Sequence, residues 1–360
     1  MAQNTSIEWT DHTFNPFIGC TKVSPGCENC YAEHLMDTRM HKVVWGPKGE
    51  RVRTSAANWK KPRQWNRQSF YACNECGWRG DTPGHTKYVG GGHYQACPAC
   101  SKGVAWPTRQ RVFCASLADV FDNAAPSEWR KDLAALILET PNLDWLLLTK
   151  RIGNAAKMLA EMFPEGLPDN VWIGATIVDQ AEADRDIPKL MKVPAYIHFL
   201  SMEPLLGPVD LKLMQYEDSD HKDETGRIIA NTRRRIIKWV IVGGESGPGA
   251  RPMHPQWARS LRDQCAHAGV HFLFKQWGEW VPRSACYHLF ADGKSCADMD
   301  PGCKQWPSMR LTEAGHNGRD LAHAGAGDDA YMQRVGKAMG GRLLDGRTHD
   351  GFPGKGVQAA

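Results

Sequence analysis

A chain of 360 residues with 42% hydrophobic and 23% charged side chains has the make-up of a globular protein, one large domain or two ordinary ones, which excludes a disordered polypeptide. No window reaches the roughly 18 consecutive apolar residues of a membrane span, and Met1 to Asp11 lack the basic-then-apolar pattern of an export signal, so a cytoplasmic protein with no membrane partner is expected. The 44 basic against 40 acidic side chains leave a charge of +4, which permits a nucleic-acid partner without arguing for one.

A first strand is expected at Phe14 to Gly19. Asn66 to Thr108, rich in Gly, Cys, His and Tyr, is too long and too cysteine-dense for an ordinary connection and reads as an inserted module. From Arg111 to Gln276, β-branched runs alternate with amphipathic stretches, the rhythm of βα units around a parallel sheet. Strands are expected at Val112 to Ser116, Trp145 to Thr149, Val171 to Thr176, Tyr196 to Ser201, Trp239 to Gly243 and His271 to Lys275. Helices fit between them: one through Leu138 with Ser127 as its N-cap, one at Gln180 to Leu190, and one at Pro255 to His267 closed by Gly269. Tyr216 to Arg235 is charged and reads as a surface excursion. In the tail only Asp329 to Leu344 looks helical. The expected fold is α/β, a complete or partial (β/α) barrel of the TIM type, with residues 1–65 as its N-terminal part, a zinc ribbon at 66–108, the rest of the barrel at 109–280 and an extension at 281–360.

Twelve cysteines in a reducing compartment point to metal ligation or redox chemistry rather than disulfides. Cys20, Cys27 and Cys30 lie on a Pro-Gly loop. Three thiolates so placed can hold three irons of a [4Fe-4S] cube and leave the fourth open for a ligand; the alternative is structural zinc, with His12 or His34 as fourth ligand. Cys73, Cys76, Cys97 and Cys100 form two pairs of two-residue spacing, the pattern of two knuckles completing a tetrahedral zinc site. An auxiliary iron–sulfur cluster or redox thiols are the alternatives. Around them Trp78, Arg79, Lys87, Tyr88, His93, Tyr94 and Lys102 suit stacking on bases and contact with phosphates, or simply pack the ribbon. Cys286, Cys296 and Cys303, near His288, are unevenly spaced and read as isolated thiols before a further metal site. Cys114 and Cys265 fall at core positions.

In α/β barrels the carboxyl ends of the strands line the active site. The expected strands deliver Ser116 and Asp119, Thr149 and Lys150, Thr176, Ser201 and Glu203, Glu245, and Lys275 and Gln276 to that end. Any one of these could cap a helix or form a salt bridge; their convergence is the signal. A buried Glu203 or Glu245 needs a cation or a ligand's ammonium or hydroxyl groups. Gly243 and Gly244 would let backbone approach a ligand. Lys275, Glu203 and Cys114 are the candidate catalytic residues.

The run from Trp9 through Asn15-Pro16 and Gly19-Cys20 to Cys30-Tyr31-Ala32-Glu33 resembles the opening of the phage Gp37/Gp68 family, also called DUF5131, whose members look like radical S-adenosylmethionine (SAM) proteins. The likeness continues at Leu148-Thr149-Lys150-Arg151, Trp172-Ile173-Gly174, Phe199 to Leu205, Val242 to Gly247, Phe274 to Gly278 and Gly341 to Gly346. The resemblance implies a barrel of the radical-SAM kind, with Cys20, Cys27 and Cys30 as ligands of a [4Fe-4S] cluster that binds SAM, and Tyr31 beside the adenine. Six residues separate Cys20 from Cys27, where the commonest spacing of such proteins has three. Gly243-Gly244-Glu245 resembles the motif that binds the methionine amino group, but it follows the sixth strand, and Ser116 to Asp119 occupies the usual place. An enzyme acting on a nucleobase of DNA, with an external electron donor, is the leading expectation. A zinc-stabilised nucleic-acid binding protein without catalysis, or a radical enzyme acting on a small metabolite or peptide, are the alternatives.

Overall fold

The computed structural model describes residues 5, 7–73, 75–89, 92–100, 102–213, 237–282, 307–315 and 329–353. Seven strands, β1 (His12–Phe14), β2 (Gln110–Cys114), β3 (Leu143–Thr149), β4 (Val171–Thr176), β5 (Ile197–Met202), β6 (Ile237–Gly243) and β7 (His271–Gln276), form one parallel sheet whose spatial order follows the sequence. Monotonic order with right-handed crossovers puts the crossover helices on one face, so the sheet curls. Among the described residues β7 does not pair with β1, and the sheet is a half-barrel, the partial form of the two expected.

Five helices of ten residues or more are α1 (Ala56–Trp65), α2 (Ser127–Leu138), α3 (Ile152–Met162), α4 (Gln180–Met191) and α5 (Pro255–His267). Asp179 caps α4 by accepting from the Glu182 amide at 2.8 Å, and the Glu182 carboxylate returns a bond to the Val178 amide. Pro255 opens α5, where it has no amide to leave unsatisfied. In α2 the cap position falls on Pro126, not Ser127, whose hydroxyl instead donates to Glu128. Helix α3, not foreseen, buries Ile152, Ala155, Met158, Leu159 and Met162, a helical stripe.

The two faces of the curled sheet carry separate cores. Outward, Trp145, Leu147, Ile173, Val240 and Phe274 pack under the helices. Inward and toward the amino ends of the strands, Trp9, Phe113, Trp172, Phe199 and Trp239 form an aromatic plug, with the Trp9 and Phe113 rings 4.6 Å apart. Gly174 makes room for it: a Cβ there would stand 2.3 Å from the Phe199 ring. The plug fills the lower half of the interior and leaves the polar groups at the carboxyl end.

The inserted module is a five-stranded antiparallel ribbon, Tyr71–Cys73, Arg79–Gly80, Thr86–Val89, Gly92–Ala96 and Val104–Pro107. Arg79 ties it to the half-barrel through two bonds to Asp11 and one to the Arg109 carbonyl. The tail departs from the helix expected at Asp329 to Leu344. Ala330–Arg334 is a strand between Trp280–Pro282 and Ser308–Leu311, and only Lys337–Gly340 is helical. Gly336, at φ +86°, turns the chain between them, and Met332 alone of its strand is buried, the alternation of a one-sided strand. Residues 349–351 run along the outer edge of β7, with the Phe274 amide donating to His349 and the Gly351 amide to Phe272. Tyr216 to Arg235, and Cys286, His288, Cys296 and Cys303, lie outside the described residues. No helix among the described residues is long and apolar enough to cross a membrane.

Candidate functional site

At the carboxyl end of the half-barrel the register brings Thr176 beside Ser201, both buried. Beyond them Lys275 Nζ meets Glu203 Oε1 at 2.5 Å. Gln276 Nε2 lies 3.5 Å from the same oxygen and donates to Ser246 Oγ at 3.1 Å. Gly243 sits between the pair's strands, where a Cβ would touch both side chains. Gly244 answers to a different constraint: its Cβ would stand 1.9 Å from the Trp277 carbonyl, so it is glycine for chain packing.

Asp119 is buried and saturated. Its carboxylate accepts from Thr149 Oγ1 at 2.8 Å, the Phe121 and Lys150 amides, and Arg151 Nη1. Thr149 therefore positions Asp119, and both position Arg151, which carries the network to the cysteine loop by donating to Cys20 Sγ at 3.2 Å and the Thr21 carbonyl at 2.6 Å. Burial pushes the Cys20 thiol up to about 11, against the opposing pull of Arg151. Arg51, paired with Asp122, grips Thr21 from the other side.

The loop then crosses the mouth. Gly19, at φ +109°, starts it, and Ser24 caps the turn Pro25–Cys27 by accepting from the Gly26 amide. At Gly26 a Cβ would lie 2.7 Å from Val178 and 3.4 Å from Lys150, so the apex rests on the ends of β3 and β4. On the far side Asn29 donates to Glu245 and to the Gly249 carbonyl. Arg251 links Glu245, Glu28 and the Pro25 carbonyl. Glu245 is thus an anchor for the loop. The Tyr31 hydroxyl donates to the Ser116 carbonyl at 2.6 Å while its ring stays exposed.

Cys20, Cys27 and Cys30 are free thiols, carried by this one strapped loop. Among the described residues the four ribbon cysteines alone bring three or more ligand atoms within 4.8 Å of one another; the loop thiols stand farther apart. His12 is no fourth ligand, being on the helix side of β1, stacked 4.1 Å from the Trp65 ring and bonded to Gln110, and His34 is exposed. Cys114 is fully buried on the helix side of β2, in the core position its strand predicts, and burial raises its thiol pKa. It does not face the mouth.

The second cysteine group is a metal site in its geometry. All four sulfurs lie within 4.8 Å, with Cys73 to Cys100 at 3.9 Å and Cys76 to Cys97 at 3.6 Å. A tetrahedron with metal–sulfur bonds of about 2.3 Å has edges of about 3.8 Å, close to these two distances, so the group could hold an ion such as zinc. The Gly103 amide donates to Cys100 Sγ, and backbone amides push that thiol down to about 6. A Cβ at Gly103 would stand 2.5 Å from Cys73 Sγ.

Sequence reasoning missed Arg51, Asp122, Asn29, Arg151 and Arg251. Arg151 lay within a recognised motif, but its partner Cys20 is 131 positions away, and nothing local marks the pair.

A family model described as a protein of unknown function (DUF5131) matches residues 4–353. No curated protein and no solved structure matches the chain.

Proposed function

The chain belongs to the DUF5131 family, and we propose that it is a radical SAM enzyme in which Cys20, Cys27 and Cys30 hold a [4Fe-4S] cluster and the ribbon holds zinc. The observation that carries the reading is the loop of three free thiols, fastened across the mouth of a parallel half-barrel by Arg151 on one side and Arg251 on the other. With SAM bound, such a cluster supplies one-electron cleavage of the sulfonium, giving a 5′-deoxyadenosyl radical for hydrogen abstraction.

The chain's own groups suit this use. Arg151 sets positive charge beside Cys20 and favours its thiolate. The Tyr31 ring, held by its hydroxyl, offers a flat face for the adenine. Glu203 and Lys275 offer one charge of each sign for the amino and carboxylate groups of an amino acid, and Thr176 and Ser201 offer hydroxyls. The aromatic plug bars water from below. The substrate we assign is a nucleobase of DNA, in a modification, rearrangement or repair step, with electrons from an external donor.

Anaerobic reconstitution tests the reading. Brown protein with about four irons per chain that reduces SAM to 5′-deoxyadenosine is expected, and Cys27→Ala should abolish the iron while leaving the ribbon's metal. Colourless protein holding zinc in both places would overturn it and leave a nucleic-acid binding protein. Deuterium transfer from labelled oligonucleotide, and none from free metabolites or peptides, identifies the substrate class.

A further inference from the structure

A cleft lies at the opposite end of the sheet. It measures about 890 Å³, between the ribbon and the amino ends of β2 to β5. One wall carries Trp106 and the other Tyr196, and these rings are 46% and 41% exposed, in a molecule that buries most of its other tryptophans. Trp106 is held in place by the edge of Tyr94, 5.1 Å between ring centres. Four arginines line the cleft against one aspartate. Arg79 is taken by Asp11, and Arg109 by Asp144 and Asp169. Arg67 is exposed and makes no ion pair among the described residues. Arg111 is buried, its Nε 3.7 Å from Asp11 and without a hydrogen bond. Burial, with Arg79 beside it, pushes Arg111 down to about 9 against the opposing charges of Asp11 and Asp144, and its guanidinium lies 4.7 Å over the Phe352 ring, so Arg67 is the cation that the cleft leaves open to a ligand.

We propose that this cleft binds single-stranded nucleic acid, with bases stacked on Trp106 and Tyr196 and phosphates met by Arg67. Flat exposed rings on both walls and an exposed guanidinium on the rim of the same cleft are the two halves of sequence-tolerant strand binding. An acidic peptide would use Arg67 but not the paired rings. Six residues of β4 at about 3.3 Å each put the cleft about 20 Å from the mouth, so its role is to anchor the strand, and its affinity owes nothing to the cluster. The proposal shares only a ligand class with the preceding reading.

Fluorescence anisotropy of the full chain with a labelled oligothymidylate of about fifteen nucleotides, without SAM, tests it. We expect affinity that falls with salt. Trp106→Ala and Tyr196→Ala should each weaken binding about tenfold, and Arg67→Glu should weaken it and flatten the salt slope by about one. Tyr196 lies outside the ribbon, so its variant stays informative even if Trp106→Ala disturbs the ribbon. Cys27→Ala should bind as the parent does, which separates this test from that of the cluster. An oligouridylate arm tells RNA from DNA. No binding at low salt, equal binding of a duplex, or a Tyr196→Ala variant as tight as the parent would overturn the proposal.

Discussion

Lys275 at the end of β7 reaches over Gly243 at the end of β6 to bond Glu203, the residue after β5, at 2.5 Å. The two side chains are 15% and 20% exposed, sheltered enough for the pair to hold its geometry yet open to a ligand. Lys275→Met should cost about 2 kcal/mol of stability, read by urea unfolding. It should also lower 5′-deoxyadenosine formation at least tenfold with unchanged iron content; an unchanged rate would remove the pair from the cofactor site.

Asp119 satisfies four donors at once, so its loss is felt as an unpaired Arg151 rather than as one missing bond. Asp119→Ala should destabilise the protein by about 3 kcal/mol, against about 1 kcal/mol for Thr149→Ala. Denaturant midpoints of the two variants check the order, and equal midpoints would show that Arg151 finds other compensation.

Within the ribbon, two glycines make opposite predictions. Gly77 has φ +72° with open space around it, whereas Gly103 faces Cys73 Sγ. Gly103→Ala should displace that sulfur and release the ribbon's metal, while Gly77→Ala should keep the metal at a cost of about 1 kcal/mol. Metal analysis after gel filtration distinguishes them. Cys76→Ala should likewise empty the ribbon while leaving the brown colour.

His12 brings a pH dependence. Burial lowers its pKa from the ordinary 6.5, outweighing the Gln110 bond and the charge of Asp11, and its Nδ1 has no hydrogen-bond partner. The unfolded chain therefore takes up the proton first. The contribution of His12 is complete above about pH 6.5 and declines as the pH falls from there toward the lower folded value. His271 and His349, also lowered mainly by burial, add to the slope. In His12→Gln the loss of stability between about pH 6.5 and 5 should be shallower, measured by urea unfolding across that range.

Where one residue's neighbours in sequence decide its structure, the sequence was enough. Val171–Thr176 and Pro255–His267 lie where periodicity and an opening proline put them. The first strand shows the limit. Expected as one run from Phe14 to Gly19, it stops at Phe14, because Pro16 brings no amide and the Asn15 side chain takes the Leu117 amide. Phe17–Ile18 then pairs antiparallel with Val52–Arg53. The polar residues at the strand ends were readable, but their duties were not. Glu245 and Asp119 look like ligand groups in sequence and spend their lone pairs on Arg251, Asn29, Thr149 and Arg151, partners set by tertiary packing.

A curved sheet that stops at seven strands has an outer rim of bare amides and carbonyls, the surface on which chains aggregate. Here residues 349–351 occupy that rim along β7, and Trp239 Nε1 holds them by donating to the Gly351 carbonyl. A short stretch thus shields the edge of β7: a chain ending at Gly346 would keep every cysteine yet bare that edge, and should stick to its copies edge to edge.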